Sequence, residues 1–149
     1  MISNVEINKQ ARLSEHFTLA EMTKTSVKKP NVPTVAQVMN LKRLCLWLER
    51  LRGKCGTPIV INSGFRSLEV NRAVGGAARS NHLKGCAADI RCSGIEQAIR
   101  YAFHLLDISE TSGEDFDELL IEHNRCGSWW VHFAVRPEVN RRKVNIIRD

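Results

Sequence analysis

The sequence predicts an α+β fold, a small, mainly antiparallel sheet with flanking helices. Two segments, residues 34–53 and 95–106, carry apolar side chains at helical spacing. Short β-rich runs lie between and after them. Two of these runs, 117–122 and 129–135, are separated only by a turn containing Asn124, Cys126 and Gly127, which reads as a hairpin.

The elements follow in order. Thr18-Leu19-Ala20-Glu21 has the T-x-x-E form of a capping box and opens a short helix near 18–24, which Pro30 and Pro33 separate from the next element. The long helix 34–53 carries the stripe Val38, Leu41, Cys45, Leu48 and Arg52, with Leu44 and Leu51 beside it, and ends at Gly53 and Gly56. Pro58 leads into a strand, Ile59–Ile61. Leu68 to Val74 reads as a short helix closed by Gly75-Gly76. A polar loop, 77–85, precedes a strand from Cys86 to Cys92. The second long helix carries Ile95, Ala98, Ile99, Ala102, Phe103 and Leu106, followed by a loop over 109–114. Strands at 117–122 and 129–135 form the hairpin, and Val144 to Ile147 can add one more. There is no internal repeat. The chain reads as one domain, 1–149, with an N-terminal extension over 1–12 and a basic C-terminal tail over 137–149.

Composition narrows the function classes. The 149 residues are 43% hydrophobic, enough for one core, and no stretch approaches the roughly 18 apolar residues of a membrane span. Met1 to Glu6 lacks the basic and apolar regions of a secretory signal, so the protein is expected to be cytoplasmic as synthesised and to reach a cell wall only after release. Five cysteines, an odd number without C-x-x-C spacing, favour free thiols over a disulfide framework. The formal charge of +6 suits a nucleic acid or an anionic cell envelope. Basic–aromatic interleaving and finger spacing are both missing, so no nucleic-acid partner is expected. The protein is expected to act as a monomer.

The chemistry concentrates in two stretches. In Ser80-Asn81-His82-Leu83-Lys84-Gly85-Cys86-Ala87-Ala88-Asp89, a loop histidine precedes a strand that delivers Asp89 among apolar neighbours. A lone buried carboxylate is costly, and a cation shared with His82 would compensate it. In Trp129-Trp130-Val131-His132-Phe133, His132 shares a strand face with Trp130. Two histidines and an aspartate form a three-ligand zinc set that leaves a fourth position open, the mark of a catalytic site. Each residue alone has an ordinary structural explanation, and the combination is what points to a metal.

Ser80-x-His82-x-x-Gly85-x-Ala87-x-Asp89 followed by Trp130-Val131-His132 resembles the D-Ala-D-Ala carboxypeptidase family of zinc peptidases, within the superfamily shared with the hedgehog domain. Ser63-Gly64-Phe65-Arg66-Ser67 and Leu13 to Met22 extend the resemblance over residues 13–135. It implies a hedgehog/D-Ala-D-Ala-peptidase-like fold, one catalytic zinc ion held by His82, Asp89 and His132, a substrate carboxylate or carbonyl bound by Arg66, and Ser80 assisting nearby. Trp130 is a candidate substrate platform. Many relatives place an acid three residues before the last histidine, where this chain has Trp129. The hedgehog domain instead takes its glutamate from the preceding strand, and Phe116 to Glu122 is similar to that strand. Leu119 and Ile121 alternate against Glu122, and pairing Glu122 opposite Trp130 would make it a diagonal neighbour of His132 and the candidate general base. Glu118 and His123 are the reserves. The expected activity is zinc-dependent hydrolysis of bacterial peptidoglycan stem peptides, as a D-Ala-D-Ala carboxypeptidase or a phage-type endolysin. The alternative is a non-catalytic zinc module that binds wall or protein partners.

Overall fold

The structure, a computed structural model, describes residues 9–149. Most of the expected extension 1–12 therefore lies outside the described residues. Helix α1 spans Leu19–Met22 and starts with the expected capping box, Thr18 accepting from the Glu21 N–H and Glu21 reaching back. Helix α2, Val35–Cys55, has a second such box, Thr34 with Gln37, and stops at Gly56 in the left-handed region. Strand β1, Ile61–Ser63, begins two residues later than the sequence suggests. Helix α3 spans Leu68–Ala73, and a single 3-10 turn, Asn81–Lys84, leads to β2, Ala87–Cys92.

Helix α4 runs from Ile95 to Ser112, six residues beyond the expected end, because no breaker intervenes before Gly113. Its buried face is also rotated from the expected stripe. Ala98, Tyr101, Leu105 and Ile108 enter the core, while Ile95, Ile99 and Phe103 stay exposed. This helix is apolar on adjacent sides, so periodicity alone does not select the inward one.

Strands β3, Glu118–His123, and β4, Trp129–Ala134, form the hairpin, and β5, Lys143–Arg148, completes a five-stranded sheet of order β1-β2-β4-β3-β5. All pairs are antiparallel except β3 with β5. Alternation gives the sheet two chemically distinct faces. Ala88, Ile90, Leu119, Val131 and Phe133 join α2 and α4 in the core. Asp89, Glu118, Glu122, Trp130 and His132 occupy the other face and line a cleft. Among the described residues no helix is long and apolar enough to cross a membrane. All five cysteines are free, and burial pushes the Cys45 and Cys92 thiols up to about 12.

The basic segment after β4, though mostly exposed, is tied to the sheet through Asp117. Asp117, fully buried, accepts from the backbone N–H of Arg141, from its Nε and Nη2, and from Asn81 Nδ2, at 2.7–3.0 Å. Arg136 Nε lies 3.2 Å away. Burial opposes ionisation of Asp117, but the hydrogen bonds from Arg141 and Asn81 and the charge of Arg136 outweigh it and hold the carboxyl at about 2. A depressed carboxyl contributes stability above its unfolded value of about 4, and loses it as pH falls through the folded value. Asp117→Asn should therefore cost about 3 kcal/mol at neutral pH, the low end for breaking a buried ion pair, since both arginines can reach water. In urea titrations its gap from the parent should narrow between about pH 4 and pH 2. An unchanged gap across that window would remove Asp117 as the source.

Candidate metal centre

The turn carrying His82 is built by glycine and by capping. Ser80 Oγ accepts the His82 N–H at 3.1 Å and caps the 3-10 turn. Gly85 closes the turn at φ +73°, where a Cβ would stand 2.6 Å from the Gln37 carbonyl oxygen of α2. Upstream, a Cβ on Gly64 would meet the Met22 carbonyl oxygen at 2.4 Å. That close approach lets Phe65 N–H donate to Met22 and leaves the Gly64 carbonyl facing His82.

The histidine tautomers follow from their outer partners. His82 Nδ1 lies 2.7 Å from the Gly64 carbonyl, which can only accept, so Nδ1 carries the proton and Nε2 presents a lone pair. His132 Nε2 lies 2.9 Å from Glu118 Oε1, which likewise leaves the Nδ1 lone pair free. Both free nitrogens face the same oxygen, Asp89 Oδ1, at 3.2 Å from His82 and 3.1 Å from His132. Three ligand atoms within 4.8 Å of one another therefore converge with nothing but lone pairs between them. Either protons or a cation must sit there.

Without a cation, burial resists charging of His132, but the hydrogen bonds and charges of Asp89 and Glu118 prevail and push its imidazolium up to about 10. Asp89, against the opposing effect of burial, is held far below the carboxylate range by both histidines. The donor set fits a divalent cation. Tetrahedral bonds of about 2.0–2.1 Å set neighbouring ligand atoms about 3.3 Å apart, close to the two separations at Asp89.

Arg66 does not pair with its neighbour Glu69. Its Nη2 donates to Asp89 Oδ2 at 3.1 Å, its Nε to Ser63 at 3.0 Å and its Nη1 to Asn71 at 3.3 Å. Three of five guanidinium N–H groups are used, and two remain for a ligand. The cleft has a volume of about 720 Å³, and Arg66, Ser80, Glu122 and Trp130 share its wall with His82, Asp89 and His132.

The hairpin register sets Glu122 opposite Trp130 and Leu120 opposite His132, so Glu122 is diagonal to the histidine on the cleft face. Trp130 Nε1 donates to Glu122 Oε2. Burial, and then the nearby Asp89 charge, push the Glu122 carboxyl above its ordinary value. Glu118 is the other diagonal neighbour and contacts His132 directly. His123, a reserve base on the sequence reading, is removed by parity. It lies on the opposite face, stacked on Trp129 at 4.3 Å between ring centroids.

Three contributors escape a reading by sequence: Asn81, Asp117 and Arg141, whose interactions span 24 to 37 residues. The adjacent acids Asp117 and Glu118 at a strand start were the one local signal, and they read equally well as solvated charge.

A family model described as Peptidase M15 matches residues 15–125. The chain belongs to the peptidase M15 family. The match includes His82, Asp89, Glu118 and Glu122 and stops before Trp130 and His132. The M15 chain is also 36% identical over 78 residues to the zinc D-Ala-D-Ala carboxypeptidase of Streptomyces albus G. That match covers 50% of this chain and 31% of the relative, so the similarity concerns less than a third of the other protein.

Proposed function

We propose that this M15 chain is a zinc-dependent peptidase that hydrolyses peptide bonds in bacterial cell-wall stem peptides, in the manner of a D-Ala-D-Ala carboxypeptidase or a phage-type endolysin. The observation that carries the reading is the convergence of three lone-pair donors, from His82, Asp89 and His132, at the floor of a cleft. A zinc ion there supplies Lewis-acid polarisation of a carbonyl and acidifies water to a pKa of about 7.

The remaining roles belong to the chain's own side chains. Glu122 acts as general base. Its Oε2 is held by the Trp130 indole, which leaves Oε1 to take a proton from the attacking water and pass it to the leaving amine. Its raised carboxyl pKa brings it nearer the operating pH of such a base. Arg66 offers its two unused N–H groups to a substrate carboxylate or to the carbonyl oxygen as charge develops there. Trp130 and Ser80 shape the wall on which the peptide lies.

The test is incubation of zinc-loaded and chelator-treated protein with purified peptidoglycan and with peptides ending in D-Ala-D-Ala, with products identified by mass. Zinc-dependent cleavage supports the reading. An inert, zinc-loaded protein that still binds wall fragments would make it a binding module instead.

Arg66→Ala separates substrate recognition from chemistry. A charge-assisted hydrogen bond is worth about 1.5–3 kcal/mol, so the preference for a free-acid peptide over its C-terminal amide should fall by about tenfold or more. If kcat/KM for the two peptides drops equally, Arg66 does not read the carboxylate.

A further inference from the structure

Glu118 does something in this molecule that neither ligand nor base chemistry requires. Its side chain is 15% exposed, and one oxygen, Oε1, takes two hydrogen bonds: from His132 Nε2 at 2.9 Å and from Asn81 Nδ2 at 2.6 Å. The other oxygen, Oε2, lies 3.8 Å from Arg141 Nη2. Asn81, buried, has no freedom to let go. Its second amide hydrogen goes to Asp117 Oδ2 at 2.8 Å, and its Oδ1 accepts Arg136 Nε at 3.0 Å. The amide orientation is fixed by this pattern, since a flipped Asn81 would aim oxygen at two carboxylates and nitrogen at a guanidinium. A carboxylate oxygen fed by an amide donor on one side can only accept on the other. Glu118 therefore requires the proton of His132 to sit on Nε2.

We propose that Glu118 is a positioning residue of the metal centre, which fixes the tautomer and ring plane of His132 so that Nδ1 faces the cation, and that Asn81 with Asp117, Arg136 and Arg141 forms the clamp that holds Glu118. The inference rests on the reading of His82, Asp89 and His132 as zinc ligands. It assigns Glu118 away from proton transfer, leaving that task to Glu122. His82 reaches the same end with the Gly64 backbone carbonyl, so each histidine has an outer acceptor, one from the main chain and one from a side chain. Only the second can be removed by substitution. Three of the four clamp residues, Asp117, Arg136 and Arg141, bracket the β3–β4 hairpin, so the clamp closes only when that hairpin has formed.

The experiment compares parent, Glu118→Gln, Glu118→Ala and His132→Ala proteins. Zinc affinity is measured by competition with a chromophoric chelator, and the ring nitrogens of zinc-loaded protein are read by long-range proton–nitrogen NMR. Losing an outer partner of a metal-bound histidine typically weakens affinity about 10–100-fold. Glu118→Ala should fall in that range, and its His132 Nε2–H signal, deshielded by the Glu118 carboxylate in the parent, should shift or vanish by exchange with water. Glu118→Gln keeps an acceptor of nearly the same shape, so it should recover most of the affinity and the parent nitrogen pattern, and it covers the case in which the alanine variant folds poorly. Zinc affinity of Glu118→Ala within about twofold of the parent, with unchanged nitrogen shifts, overturns the proposal. So does a Glu118→Gln protein that binds zinc normally but has no turnover while Glu122→Gln retains it, because Glu118 would then be the base. If His132→Ala also keeps parental affinity, the ligand assignment itself has failed, a result distinct from either of these.

Discussion

Glu122→Gln should leave zinc bound and slow hydrolysis by about a hundred- to ten-thousand-fold, the usual contribution of a positioned general base. The substitution is conservative at this site. A glutamine Oε1 can still accept the Trp130 indole N–H that holds Glu122, and the amide matches the carboxylate in size. What it cannot do is take a proton from water. Metal content after dialysis should match the parent, and the thermal midpoint should move little. The fall should lie in kcat rather than KM, because the lost interaction belongs to the transition state. Near-parental turnover would show that the proton goes elsewhere, with Glu118 the first place to look.

His132→Ala should remove metal and turnover together. Two donors, His82 and Asp89, would remain, and the loss should exceed the roughly 10–100-fold that removal of an outer partner costs. The variant also leaves Glu118 and Asp89 facing a space that neither a proton-bearing ring nor a cation fills. Both carboxylates should then move back toward ordinary values, Glu118 from about 2, where the hydrogen bond and charge of His132 help to hold it against burial. Metal analysis by mass spectrometry after dialysis, with circular dichroism to confirm folding, checks the result. A folded variant that retains stoichiometric zinc would exclude His132 as a ligand.

The site was legible wherever its geometry is local or periodic. His82 and Asp89 lie on one turn-and-strand unit, so they are near each other in the chain, but it is their combination with the other segments that marks them. Strand parity then sorted Glu122 and His132 onto their faces, while the pairing of Glu122 with Trp130, a condition on the sequence reading, is set by the observed register. Legibility ended where a contact depends on long-range docking. Nothing near Asn81 in the sequence announces that it will bridge Asp117 and Glu118, because that partnership exists only once β3 lies beside the 3-10 turn. The fold divides similarly. The caps of α1 and α2 depend on four-residue motifs. The inward side of α4 depends on Tyr101 finding space over the sheet, and that is decided by packing. Strand β1 starts late for a related reason: its pairing is set by β2, with Ile61 opposite Ile90 and Ser63 opposite Asp89 across a register shift.

The order of strands has a consequence for how the protein comes into being. Strand β4 lies between β2 and β3 although it follows both in the chain. On a ribosome, β2 and β3 therefore wait with unpaired edges until β4 emerges, a non-local closure of the kind that slows folding. The same strand delivers His132. On the proposed ligand set, a nascent chain lacking it offers a cation only His82 and Asp89, and its cleft lacks the wall that β4 supplies. If His82, Asp89 and His132 hold zinc as proposed, the metal site forms only once β4 has inserted between β2 and β3, and a cation that takes all three donors also holds that strand in place. Zinc in the refolding buffer should accordingly speed the final, sheet-closing phase rather than the early formation of α2.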